Sequence, residues 1–395
     1  MLSSRTNWPL DPNRFAVALE QHRRSGKKLF DLTASNPTTC GFKYPQQEIL
    51  DALGDPRALE YRPESKGLAE AREAVAAYYA GRPAFSGVAR EVSAERIVLT
   101  SGTSEAYSHV FRLLCEPGDE VLVPAPSYPL LEFLAGLADV RLIAYPLLYD
   151  HGWQMDFSGL RAALTARSRA VVVVHPNNPT GSFVKPREAE ELAAICNERQ
   201  LAILADEVFL DFSDEAEPAP SFATGNGALA FTLSGLSKIS ALPQMKLAWI
   251  VPSGAEAQVR PAMERLEIIA DTYLSPSTPV QLAAGTFLTM RGEMQSQIKE
   301  RVAANLAFLD GELRELRSVT RLEREGGWYA VLRVPASGPD EALAVELLER
   351  CSVLVHPGHF FDFAQDGFLV LSLIPPTADF REGVRRMREF FARRS

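Results

Sequence analysis

The chain has 395 residues, 46% hydrophobic and 23% charged, with a formal net charge of −9. That composition suits a globular protein with more than one core, and the acidic balance argues against nucleic acid as the main partner. No apolar run approaches the length of a membrane span, and the opening MLSSRTNWPLDPNRF lacks the basic start and apolar core of a signal peptide.

Four cysteines (Cys40, Cys115, Cys196 and Cys351) are scattered along the chain, and neither they nor the six histidines show metal-ligand spacing. A reduced, cytoplasmic setting is therefore expected, with no metal and no membrane partner.

In chain order, a proline-punctuated start carries one helix-like stretch, RFAVALEQHRR. From Ala69 the text alternates. AEAREAVAAYYA has helical period, RIVLTSG reads as strand and turn, and EAYSHVFRLL as helix. EVLVPAPSYP is strand and loop, LLEFLAGLA helix, VRLIAYPL strand and FSGLRAALTA helix. AVVVVHPNNPTG is strand and turn, REAEELAAICNER helix, and AILADEV and ALAFTL are strands. Continuous apolar strands between helices imply an α/β fold with a mostly parallel sheet sandwiched by helices.

Near Gln281 the pattern shifts to a long helical run, VQLAAGTFLTMRGEMQSQIKERVAANLAFLDGELREL, read as one helix or a helix pair bridging two domains. Shorter strands follow at WYAVLRV, SVLVHPG and GFLVLSLI, with helices at DEALAVELLER and REGVRRMREFFARR. The expected division is a large domain over 47–285 and a smaller α+β domain over 1–46 and 286–395, with an N-terminal arm.

Four polar clusters, TSGTSEA, HPNNPTG, ADEV and SGLSK, each follow a strand directly. Ligands of parallel sheets bind outside the carboxyl ends of the strands, so these clusters should converge on one crevice. Free backbone N–H groups at Gly102, with the hydroxyls of Thr103 and Ser104, would cradle an anion. Asp206 ends a strand buried on both faces and needs a partner there. Asn178 presents a side-chain amide from a turn. Each cluster alone is equally an ordinary cap or turn. Together they ask for a ligand with a phosphate, an acid-paired atom, an amide-paired atom and a group that lysine attacks. Pyridoxal phosphate meets all four demands through Lys238, with Tyr128 as an aromatic lid.

At this point the chain resembles the class I/II aminotransferases of the aspartate aminotransferase fold. SNPT (Ser35 to Thr38), PNNPTG, DEV and LSK occur in family order over nearly the whole length. The resemblance implies transamination between an amino-acid donor and a 2-oxo acid by ping-pong exchange, a role in amino-acid metabolism, and a homodimer with active sites at the subunit boundary. It gives Lys238 the Schiff base and the proton shift, Asp206 the pyridine nitrogen and Asn178 the ring's phenolic oxygen. It further gives Gly102, Thr103 and Ser104 the phosphate, Tyr128 the stacking, and Tyr61 a reach to the neighbouring subunit's phosphate. Ser35 and Asn178 fall to the substrate.

The sequence departs from that family in four places. Phe209 stands where a tyrosine is frequent. Lys246 stands where an arginine binds the phosphate. Gly235 stands where a serine is common, so Ser234 or Ser237 is expected to substitute. Val370 stands where an arginine grips the substrate's α-carboxylate, which leaves Arg62 and Arg333 as replacements. The rival readings are a lyase or decarboxylase on the same cofactor, a transaminase whose donor lacks an α-carboxylate, and a non-catalytic ligand-binding or regulatory protein.

Overall fold

The computed structural model describes residues 2–394 except 86 and 130. Residue 130, which opens the helix read at LLEFLAGLA, lies outside the described residues. The strands are β1 (Phe30–Asp31), β2 (Val98–Thr100), β3 (Glu120–Ala125), β4 (Arg141–Tyr149), β5 (Trp153–Met155), β6 (Ser168–Val174) and β7 (Ala202–Asp206). They continue with β8 (Ala230–Gly235), β9 (Ala248–Ser253), β10 (Thr320–Arg321), β11 (Tyr329–Arg333), β12 (Val353–Leu354), β13 (His356–Pro357) and β14 (Phe368–Ser372).

The large sheet has the order β2-β9-β8-β7-β6-β3-β4-β5. Strands β8, β7, β6, β3 and β4 are parallel, while β9 is antiparallel to both β8 and β2, so β2 runs with the parallel set. The unbroken valine run of β6 has a direct cause. Val172 packs in one core with Phe111 and Leu266, while Val171 and Val173 pack in another with Leu192 and Ile195. Side chains alternate across a strand, so a sheet covered on both faces needs apolar residues at every position. One covering layer includes helices Thr103–Leu114 and Glu256–Tyr273; the other includes Pro186–Arg199.

A separate core joins helices Arg14–Arg24, Arg291–Leu313, Asp340–Cys351 and Thr377–Ala392 to an antiparallel sheet of order β10-β11-β14-β13. Here the segment read as one strand, SVLVHPG, divides. β12 pairs with β1 and β13 with β14, so the chain changes partner between them.

The structure differs from the sequence reading at two further points. The long helical run is three helices, Thr278–Leu282, Ala284–Thr289 and Arg291–Leu313. Helix Glu256–Tyr273 and strand β9 escaped the sequence reading. That helix contains Pro261 and buries few residues, among them Val259, Leu266 and Ala270, so its period is faint. No helix is long and apolar enough to cross a membrane among the described residues.

Candidate active site

Because β2, β6, β7 and β8 run the same way, the segments after them meet at one edge of the sheet. A cavity of about 300 Å³ opens there. It is lined by Thr103 and Ser104 after β2, Asn178 after β6, Asp206 at the end of β7, and Ser237 and Lys238 after β8. Ser35, Tyr128 and Phe209 join them. Among the described lining residues, Asp206 and Lys238 carry charge, and there is no arginine.

Asp206 and Lys238 shift toward each other. Burial raises the Asp206 carboxyl to about 6; the Val208 N–H, the Tyr107 hydroxyl and the Lys238 charge oppose the rise. Burial lowers the Lys238 ammonium to about 8, and Asp206 opposes the fall. Charged forms lose hydration in a closed site, and opposite charge restores part of the loss.

Helix Thr103–Leu114 begins after Gly102 with no side-chain cap on its first turn. Its free amides and positive dipole end favour an anion. Lys246 Nζ lies 3.4 Å from the point a Cβ would occupy on Gly102, which puts a cation at the same place. The Asn178 amide is buried, and its Oδ1 has no hydrogen-bond partner.

Of the other residues singled out in the sequence, most fall outside the cavity. Ser234 is buried with its hydroxyl turned to the Glu207 carbonyl at 3.2 Å, and it does not line the cavity. Gly235 does line it, and a side chain there would meet Ala248 Cβ at 2.8 Å and the Leu247 carbonyl at 2.9 Å. The close approach of β9 explains the glycine. Tyr61 is 71% exposed and outside the cavity. Arg62 is exposed and pairs with Glu60 at 2.8 Å. Arg333 is exposed, its guanidinium over the rings of Tyr149 and Phe368, and it does not line the cavity. Val370 is fully buried, in register with Val331 on β11 and His356 on β13.

Three aromatic residues escaped the sequence reading. Tyr107 donates its hydroxyl to Asp206 Oδ2 at 3.1 Å. It sits one helical turn after Thr103, a spacing that could have shown it. Tyr329 lines the cavity with its hydroxyl against the side chains of Ser35 and Asn178. Trp328 is fully buried, its ring centroid 5.1 Å from Lys238 Nζ. Nothing local in EGGWYAVLRV distinguishes either of these from core.

Known proteins resemble both this sequence and this fold. The model of the aminotransferase class I and II family matches residues 27–386, and the chain belongs to that family. The glutamate-pyruvate aminotransferase AlaA of Escherichia coli (strain K12) is 27% identical over 382 residues, covering 93% of this chain and 91% of that protein. An alanine aminotransferase of Mycobacterium tuberculosis (strain ATCC 25618 / H37Rv) is 28% identical, covering 92% of this chain and 86% of that protein. The solved alanine aminotransferase from Pyrococcus furiosus superposes with a TM-score of 0.89 at 23% identity, covering all of both chains, which shows a shared fold. The protein is a pyridoxal-phosphate-dependent aminotransferase.

Proposed function

We propose that Lys238 carries the cofactor and then moves the proton, with Asp206 paired to the ring nitrogen. The observation that carries this is their joint burial in one cavity with opposed pKa shifts. When bound, pyridoxal phosphate supplies an aldehyde for the amino group and a ring that accepts electrons from the α-carbon. A lysine lowered to about 8 has a neutral amine available near neutral pH, as a nucleophile or base requires. Asp206, still ionised above about 6, offers a negative partner to a protonated ring nitrogen.

Asn178 is assigned to the ring's phenolic oxygen, an assignment supported by its buried amide with one end unpartnered. Gly102, Thr103, Ser104 and Lys246 are assigned to the phosphate; the uncapped helix start beside the Lys246 ammonium supports this. Tyr128, half-exposed at the rim, covers the ring face. Borohydride reduction of the holoenzyme followed by peptide mapping tests the assignment. The label belongs on Lys238, and a label on Lys246 overturns it.

The donor is read as an amino acid and the acceptor as a 2-oxo acid, with weak activity toward aspartate. Relatives named for glutamate, pyruvate and alanine support this. The absence of arginine among the described lining residues favours a second reading, a donor that lacks an α-carboxylate. The test compares turnover of α-amino acids with that of their decarboxylated amines, in wild type and in Arg62→Ala. Preference for the amines, with no effect of Arg62, rejects the amino-acid reading.

A homodimer is also proposed. Tyr61 and Arg62 lie exposed and outside their own cavity, in keeping with a reach into a neighbour's. Sedimentation of wild type would show a single chain mass if this is wrong. Four free cysteines accord with a cytoplasmic location. The division into 47–285 and 1–46 with 286–395 is retained as the domain proposal.

A further inference from the structure

We propose that Tyr107 is a positioning residue that holds the Asp206 carboxylate, through its hydroxyl, for contact with the cofactor's ring nitrogen. This rests on the reading that Asp206 pairs with that nitrogen. The two carboxylate oxygens have separate fixed donors. The Tyr107 hydroxyl meets Oδ2 at 3.1 Å, and the Val208 N–H meets Oδ1 at 3.2 Å. Tyr107 is 3% exposed, and both it and Asp206 line the cavity.

The helix adds a second reason. Tyr107 follows Thr103 by four residues and Ser104 by three, so all three lie on one helical face. All three line the same cavity. The element assigned to the phosphate therefore also carries the donor to Asp206, and one rigid helix fixes both anchor points.

The chemistry of the pair is one-directional. Burial, then the Asp206 charge, push the Tyr107 phenol well above its ordinary range, so it keeps its proton and donates. A donated hydrogen bond favours the ionised carboxylate and opposes the desolvation that raises Asp206. A protonated ring nitrogen needs that ionised form. No bond is made or broken at Tyr107, and its proton stays on oxygen.

The test uses the full-length chain freed of cofactor and titrated with pyridoxal phosphate from pH 5.5 to 8.5, with binding read by fluorescence. Wild type, Tyr107→Phe, Asp206→Asn and the double variant are compared. Tyr107→Phe removes one oxygen and keeps the ring packed. Its affinity should fall about tenfold near pH 6.5, and the gap should narrow toward pH 8.5 as Asp206 ionises unaided. In the Asp206→Asn background, Tyr107→Phe should change affinity by less than about twofold. A loss that is uniform with pH, or equal in that background, overturns the proposal and makes Tyr107 a packing residue. Wild type that does not bind pyridoxal phosphate at all overturns the underlying reading instead.

Discussion

Phe209 and Trp328 meet edge to face, ring centroids 4.9 Å apart with 85° between planes. The Lys238 ammonium lies over both, 5.6 Å and 5.1 Å from the two centroids. Two ring faces displace water from the amine and attract the cation only weakly in return, so desolvation wins. This accounts physically for the lowered Lys238 pKa of about 8.

The first prediction follows from that wall. In the cofactor-free chain, labelling of Lys238 by an aldehyde trapped with borohydride should rise with pH through about 8. The neutral amine attacks, so a lowered pKa moves the rise to lower pH than for an ordinary lysine. Lys238→Ala should lose the label and reduce turnover by about 10³-fold or more. A labelling rate that climbs only near pH 10 contradicts the buried, ring-walled setting.

Phe209 has no hydroxyl to offer the cofactor. A phenol donating to the ring's phenolic oxygen stabilises the state in which that oxygen is charged and the lysine-bound nitrogen has lost its proton. Phe209→Tyr should therefore lower the spectral pKa of the holoenzyme, read by absorbance titration. The aromatic neighbours Phe212, Trp328 and Tyr329 leave the ring itself well supported. An unchanged pKa would mean that another hydroxyl, Tyr329 foremost, already fills the place.

Lys246 offers the phosphate a point charge, where arginine would offer a planar fork. A hydrogen bond to a charged group contributes about 1.5–3 kcal/mol. Lys246→Met should accordingly weaken cofactor affinity about tenfold to a hundredfold, measured by equilibrium dialysis. Undiminished retention would remove Lys246 from the phosphate site.

Glu207, fully buried beside Asp206, ionises near 7 because burial raises it; the Ser221 hydroxyl at 2.6 Å and the Phe222 N–H at 2.7 Å oppose the rise. An acid raised in the folded state binds its proton there while the unfolded chain has released it. Its contribution to stability is thus full below pH 4.5 and lost as pH climbs to about 7. The loss is on the order of 3 kcal/mol. Glu207→Gln removes the charge; its amide oxygen can still accept from the Phe222 N–H, and its NH2 would donate to the Ser221 hydroxyl in place of accepting from it. Urea unfolding at pH 5 and pH 7.5 should show a smaller fall in stability for the variant than for wild type. Parallel falls would assign the pH dependence to other groups.

Residue order along the chain dictates the covered sheet and the strand-end chemistry. Valine at successive positions of β6 suits a strand buried on both faces. The polar segments after β2, β6, β7 and β8 then had to share an edge, because parallel strands end together. Chain order alone thereby places Thr103, Asn178, Asp206 and Lys238 at that edge. Residues whose place depends on long-range packing lie beyond local pattern. Tyr329 opens β11 of another sheet and Trp328 precedes it, and their places beside the cavity and Lys238 depend on how two cores dock. Ser234 and Gly235 are neighbours in sequence, yet strand alternation turned one toward Glu207 and left the other against the cavity under β9. Arg333 looked available as a free cation until the fold laid Tyr149 and Phe368 beneath it. Local pattern records which face a side chain takes; only the tertiary structure records what the rest of the chain brings to that face.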